Sequence, residues 1–235
     1  MVLCLDAGNT RLKFGLRAGA EWRAQGALEY PHFDSLVQRL PAPPARIVAC
    51  NVAGEPARQR IEGLAARLRI PLGWLLGSAV ACGVSNGYDN PQQLGADRWA
   101  ALIGARTLHE GPCLVIMAGT ATTIDALDAQ GRFRGGLILP GLALMRSALA
   151  QNTAGLPHAK GRYRALATNT DDAIVSGALH ATLGAIDRLR AMQEAGLTCL
   201  LSGGAAVELL PHLSRPYRVV DNLVLEGLAR FSQTN

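Results

Sequence analysis

Lysine is almost missing from this chain. Of 23 basic residues only Lys13 and Lys160 are lysines; the other 21 are arginines. Aromatic residues fill just 5% of the 235 positions. A nucleic-acid face needs clustered cations interleaved with rings on which bases stack. The arginines here are scattered, with no run of four, so the net charge of +5 suits anionic ligands in general and nucleic-acid binding is not expected. No Cys-x-x-Cys pair occurs among Cys4, Cys50, Cys82, Cys113 and Cys199, which lie far apart. Buried, reduced thiols of a cytosolic protein are the expectation. The five histidines form no metal-ligand pair at helical spacing. No apolar run approaches the roughly 18 residues of a membrane span. Asp6 precedes any basic residue, so no secretory leader is expected and the expected location is cytoplasmic.

What remains is an ordinary globular composition, 49% hydrophobic and 17% charged. The length allows one large domain or two of about 110 residues. Within it a motif occurs twice. Leu5-Asp6-Ala7-Gly8-Asn9-Thr10-Arg11-Leu12-Lys13 near the start is matched, 111 positions on, by Ile116-Met117-Ala118-Gly119-Thr120-Ala121-Thr122-Thr123. Each copy is an apolar run, a turn of small residues, and an alternating second strand. A hairpin turn of this kind exposes backbone N–H groups with no bulky Cβ in the way, so it can surround phosphate oxygens. The repeat suggests a duplicated α/β fold with a nucleotide phosphate chain held between its halves.

Periodicity places the elements. Strands are expected at Val2–Asp6, Arg11–Leu16, Ala20–Leu28, Ile47–Asn51 and Leu72–Leu76, with helices at Pro31–Leu40 and Glu55–Leu68. Residues 83–95 are polar and turn-rich, which suggests a functional loop. A helix opens at Ala96-Asp97-Arg98 and runs to about His109. Strands then follow at Cys113–Ala118, Thr122–Leu127 and Phe133–Leu139, a helix after Pro140, another from Asp171 to about Ala195, a strand at Thr198–Leu201 and a last helix at Leu223–Phe231. The order in the first half resembles a ribonuclease-H-like unit.

Several residues stand where chemistry is expected. Asp6 ends the first strand just before the Gly8 turn, aimed either at the magnesium of a nucleotide or at local N–H groups as a turn cap. Lys13, on the partner strand, supplies a point charge for phosphate or a solvated ammonium. Asp97 opens a helix, where it stabilises the first turn or, beside the Arg98 fork, receives a hydroxyl proton while Arg98 clamps a carboxylate. Thr120 occupies the turn position matching Asn9, where a hydroxyl reaches phosphate; β-propensity alone also explains a Thr-rich hairpin. Ser202-Gly203-Gly204 permits close backbone approach to a flat ring such as adenine.

These residues resemble the type III pantothenate kinases, whose relatives include the Bvg accessory factors. The resemblance is carried by Asp6 through Lys13, by Asn86-Gly87-Tyr88 leading to Leu94-Gly-Ala-Asp-Arg-Trp99, and by Gly119 through Thr123. It continues through Gly135-Gly136, Pro140-Gly141, Leu156-Pro157, Thr170-Asp-Asp-Ala-Ile174 with Gly177, and Ser202-Gly-Gly204. It implies an actin-like, acetate-and-sugar-kinase fold of two ribonuclease-H-like halves, residues 1–110 and 111–235. It implies ATP- and Mg²⁺-dependent phosphorylation of pantothenate to 4'-phosphopantothenate, the first step of coenzyme A biosynthesis. Carried over motif by motif, Asp6, Ala7, Gly8, Asn9, Thr10, Arg11, Leu12 and Lys13 look like the ATP phosphate loop, with Asp6 facing the nucleotide's Mg²⁺. Thr120 looks like a second phosphate contact, with Gly203 and Gly204 on the adenosine side. Tyr88, Gly95, Ala96, Asp97 and Arg98 look like the pantothenate site, with Asp97 as proton acceptor. Thr170 looks like a further contact reached across a homodimer interface. One position departs from the pattern: the family commonly has an acid two places before the second turn glycine and binds a monovalent cation, K⁺ or NH₄⁺. Here that place is Met117, a poor ligand for a hard cation, so weak or absent potassium activation is expected unless Asp125 substitutes. A non-catalytic accessory protein on the kinase fold is the alternative, and a sugar kinase a further one.

Overall fold

The computed structural model describes residues 1–193 and 197–234. The chain opens with three strands, β1 (Val2–Ala7), β2 (Leu12–Ala18) and β3 (Glu21–Leu28). Next come β4 (Arg46–Asn51), α1 (Glu55–Leu68) and β5 (Leu72–Trp74). The sheet order is β3-β2-β1-β4-β5, with β1 antiparallel to β2 and parallel to β4. β1 is buried on both faces because it lies mid-sheet, whereas edge strand β3 alternates exposed and half-buried residues. On one face Leu3, Leu5, Phe14 and Leu16 meet Ile61 and Leu64 of α1. A short hairpin, β6 (Val80–Ala81) and β7 (Val84–Ser85), precedes α2 (Ala96–Leu108).

The second run repeats the plan: β8 (Cys113–Ala118), β9 (Ala121–Leu127), β10 (Phe133–Pro140), α3 (Leu142–Asn152) and α4 (Thr170–Ala191). It continues through β11 (Thr198–Ser202), α5 (Ala206–Leu209), β12 (Tyr217–Val219) and α6 (Leu223–Phe231). Its sheet order, β10-β9-β8-β11-β12, is that of the first sheet strand for strand. Leu114, Ile116, Ile124 and Leu201 meet Val175, Leu179 and Ile186 of α4 on one face.

The chain forms two compact units. One comprises Met1–Glu110, Asp128–Arg134 and the C-terminal segment from Asn222; the other comprises Gly111–Leu127 and Gly135–Asp221. α6 thus belongs with the first sheet, although it ends the second half of the sequence. Two glycines explain its docking. A Cβ on Gly227 would collide with the Ala100 carbonyl oxygen of α2, and one on Gly104 with that of Leu223, so the two helices approach backbone to backbone.

The expected helix over Pro31–Leu40 is corrected to two 3-10 turns, Tyr30–Ser35 and Val37–Arg39. Neither turn has a side-chain N-cap, and Pro41 stops the run after ten residues, so a full α-helical nucleus is not sustained. The apolar face survives: Phe33 and Leu36 are buried. β6, β7, α5 and β12 have no counterpart in the sequence-based expectation, being too short to show a period. The fourth helix starts at Thr170 and ends at Ala191; the expected end at Ala195 lies outside the described residues. Among the described residues no helix is long and apolar enough to cross a membrane.

Candidate functional site

Strand register builds the first part of the site. Asp6 pairs with Lys13 across β1 and β2, and with Cys50 across β1 and β4. Side chains at paired positions share a face, so Lys13, Asp6 and Cys50 form a lateral row on the sheet face opposite α1. Lys13 Nζ stands 3.9 Å from Asp6 Oδ2, and Cys50 Sγ donates to Asp6 Oδ1 at 3.6 Å. Burial pushes the Asp6 carboxyl up to about 6; Lys13 draws it down, Asp97 pushes it up, and the Cys50 hydrogen bond draws it down again. Burial and the Asp6 charge push the Cys50 thiol well above its ordinary value, so it stays a neutral donor.

The turn above this row runs from Gly8 to Arg11. Gly8 N donates to Arg11 O at 3.2 Å, and Tyr30 Oη donates to Gly8 O at 2.7 Å. Asn9, Thr10 and Arg11 are exposed. Ala7 and Leu12, also expected in the phosphate loop, close the hairpin as a pair and bury their side chains in the core, so only their backbone belongs to the turn.

Gly95 is the N-cap of α2, and a Cβ there would stand 2.8 Å from Asp97 Oδ1. Glycine at this position leaves the carboxylate its space. Asp97 Oδ1 accepts from Arg98 N at 2.8 Å, and Ala96 is buried beneath. Because Asp97 raises the Asp6 carboxyl, the two acids share one electrostatic neighbourhood within the first unit. Arg98 is 5% exposed. Its Nη1 donates to Tyr88 Oη at 2.7 Å, and its guanidinium carbon lies 5.5 Å from the Tyr88 ring centroid and 5.7 Å from that of Phe133. Asn86 fixes the loop carrying Tyr88: its Nδ2 donates to Ser78 O and Pro91 O, each at 3.2 Å, and its Oδ1 accepts from Tyr88 N at 3.0 Å. Sequence reasoning missed Cys50 and Phe133. Each reaches the site through pairing or packing distant in sequence, and neither sits in a motif.

The second hairpin has the same frame with other chemistry. Met117 pairs with Thr123 on β9 and Ser202 on β11, so its row reads Thr123–Met117–Ser202. This hairpin is tighter: Ala118 pairs with Thr122 around Gly119–Ala121, whereas Ala7 pairs with Leu12 around Gly8–Arg11. Thr120 is exposed in the turn, and its carbonyl accepts from Gly141 N at 2.9 Å. The Oγ1 atoms of Thr122 and Thr123 are buried without a hydrogen-bond partner. Asp125 is buried and pairs with Val115, two residues along β9 from Thr123 and on its face. Gly203 has φ +103°, and a Cβ there would collide with the Ala118 carbonyl; Gly204 borders open space. Thr170 is the exposed first residue of α4, whose N-cap Asn169 accepts from Asp172 N at 2.9 Å. Thr170 lines a groove of about 1230 Å³ between α3 and α4, with Leu144, Leu149 and Ile174 among its walls.

Two sheets of one topology, each led by a small-residue hairpin, define the acetate-and-sugar-kinase class of actin-like proteins. A solved structure from Sinorhizobium meliloti, described as a 2-dehydro-3-deoxygalactonokinase, shares this fold with a TM-score of 0.64 at 17% identity, covering 100% of this chain and 99% of that one. The family model for type III pantothenate kinase matches residues 2–192. A type III pantothenate kinase of Aromatoleum aromaticum is 52% identical over 97% of this chain and 96% of its own. Another, of Dechloromonas aromatica, is 46% identical over 97% of each. The chain belongs to the type III pantothenate kinase family.

Proposed function

We infer that this protein transfers the γ-phosphoryl group of ATP to the primary hydroxyl of pantothenate, giving 4'-phosphopantothenate, the first step towards coenzyme A. The observation that carries the reading is the buried Asp6, held by Lys13 and Cys50 beside the phosphate-type turn, in the same unit as Asp97 and the Tyr88–Arg98 pair at the head of the helix that follows the family's pantothenate loop. Nothing in the family match favours the non-catalytic alternative.

The residues present fit Mg²⁺ with a nucleotide. Among the described residues no three His, Cys, Asp or Glu side chains cluster to hold a metal alone. Mg²⁺ characteristically takes one or two carboxylates and completes its shell with phosphate oxygens and water. Asp6 is such a carboxylate, buried and raised to about 6, so it is ionised at neutral pH and a bound cation would keep it ionised at lower pH. When bound, the ion neutralises charge on the phosphoryl oxygens. The backbone of Gly8 to Arg11 cradles phosphate, Lys13 adds a positive charge, Thr120 is a second phosphate contact, and Gly203 and Gly204 lie on the adenosine side. Tyr88, Gly95, Ala96 and Arg98 bind and orient pantothenate. Asp97 aligns the attacking hydroxyl and takes its proton late, as a loose phosphoryl-transfer transition state permits. Asp97→Ala is expected to lower turnover by about 10²-fold or more without loss of folding. ATP consumption measured against pantothenate and a panel of sugars tests the reading; turnover of a sugar in preference to pantothenate refutes it.

The same reading includes a homodimer. An apolar groove that leaves Leu144 and Leu149 exposed is what a second copy covers, and Thr170 on its wall then reaches the partner's substrate. Light scattering of the purified protein checks the dimer: a monomer at micromolar concentration excludes it. With Met117 in the place of an acid, activation of turnover by potassium or ammonium is weak or absent unless Asp125 substitutes.

A further inference from the structure

Resting on the pantothenate-kinase reading, we propose that Phe133 is a positioning residue for the acceptor substrate: it holds the Tyr88–Arg98 pair in its working geometry. Residues 128–134 follow β9 in sequence but pack with the first unit. Asp128 ties the tip of this tongue, its Oδ1 accepting from Gln130 N at 3.0 Å and from Arg132 N at 2.8 Å. Ser85 N donates to Gly131 O at 3.0 Å, and Arg106 Nη1 donates to Ala129 O at 3.2 Å, so the tongue is fastened beside the loop that bears Tyr88. Phe133 is thereby driven into the interior and is fully buried.

Its ring meets Tyr88 at 5.3 Å between centroids, tilted by 38°, a favourable aromatic geometry. The Arg98 guanidinium lies within cation–π range of both rings. Both ring faces thus border the buried guanidinium. Gly87 is glycine for a matching reason: a Cβ there would strike the Phe133 carbonyl oxygen, so the loop lies directly on the tongue. Phe133 therefore touches no reacting atom. It acts by stopping the Tyr88 ring from rotating away and by fixing the plane from which Arg98 Nη1 donates to Tyr88 Oη.

Phe133→Leu keeps apolar volume but removes the aromatic face. The expected result is a rise of about tenfold in KM for pantothenate, with KM for ATP within twofold and the melting temperature lowered by a few degrees. Gly87→Ala, on the exposed loop, breaks the same contact without hollowing the core and is expected to shift pantothenate KM in the same direction. In a Tyr88→Ala background the Phe133→Leu effect on pantothenate KM vanishes, because the residue acts through Tyr88. Equal changes in both KM values, or full additivity with Tyr88→Ala, overturn the proposal. If Phe133→Leu does not fold, Gly87→Ala decides alone: an unchanged pantothenate KM overturns it. Absence of pantothenate turnover in the unaltered protein refutes the kinase reading itself, a separate outcome.

Discussion

The two hairpins share a frame and divide over one position. Asp6 and Met117 are each the fifth residue of their strand, each facing a partner on either side: Lys13 and Cys50 for the first, Thr123 and Ser202 for the second. In the first unit the row carries a carboxylate, an ammonium and a thiol donor. In the second it carries a thioether between two hydroxyls and no titratable group. Identical backbone topology therefore supports a charged row in one unit and an uncharged row in the other. The difference lies in side chains that the strand pairing merely brings abreast.

Substituting the two central residues is the sharpest way to test this. Asp6→Asn removes the only carboxylate of the first row and is expected to cut kcat/KM for ATP by about 10²-fold or more. Met117→Leu, at the matching place, should leave it within twofold. Steady-state kinetics on the folded variants checks both, and comparable losses at the two positions would erase the asymmetry.

Acid should separate the rows next. The ordinary aspartate value of 3.8 rises to about 6 at Asp6, so the free enzyme loses the ionised carboxylate as pH falls through 6. kcat/KM for ATP is expected to drop about fivefold from pH 6 to pH 5. Stability moves the opposite way. Between about pH 4 and pH 6 the folded protein holds a proton that the unfolded chain has released, so stability falls as pH rises through that window and levels off above it. Urea midpoints across this range, compared with those of Asp6→Asn, show whether the slope belongs to Asp6.

A smaller effect is expected from restoring an acid to the second row. The unaltered protein should turn over equally in potassium and sodium buffers, and Met117→Asp should acquire a potassium preference of about threefold. A strong, saturable potassium requirement in the unaltered protein would instead point to Asp125 as the ligand. Smallest of all is Thr123→Val. The Thr123 hydroxyl is buried without a partner, so deleting it should change unfolding free energy by less than about 1 kcal/mol or stabilise slightly. A loss larger than that reveals a partner for the hydroxyl.

Local pattern was enough to read the duplication, most of the long strands and helices, and the two turns of small residues. Alternation, apolar runs and glycine placement are written in consecutive residues, and family-specific motifs pointed to Asp97 and Tyr88. The tertiary structure alone decided the rest. Cys50 stands beside Asp6 because β4 pairs in parallel with β1 after a long crossover, a register that neither segment encodes by itself. Arg98 is buried against Tyr88 and Phe133, and nothing in the residues beside it in sequence names Phe133 as a neighbour. α6 joins the first sheet because Gly104 and Gly227 let two helix backbones touch. Each of these rests on contacts between residues far apart in the chain, and periodicity, which is a short-range property, carries no record of which distant surfaces will meet.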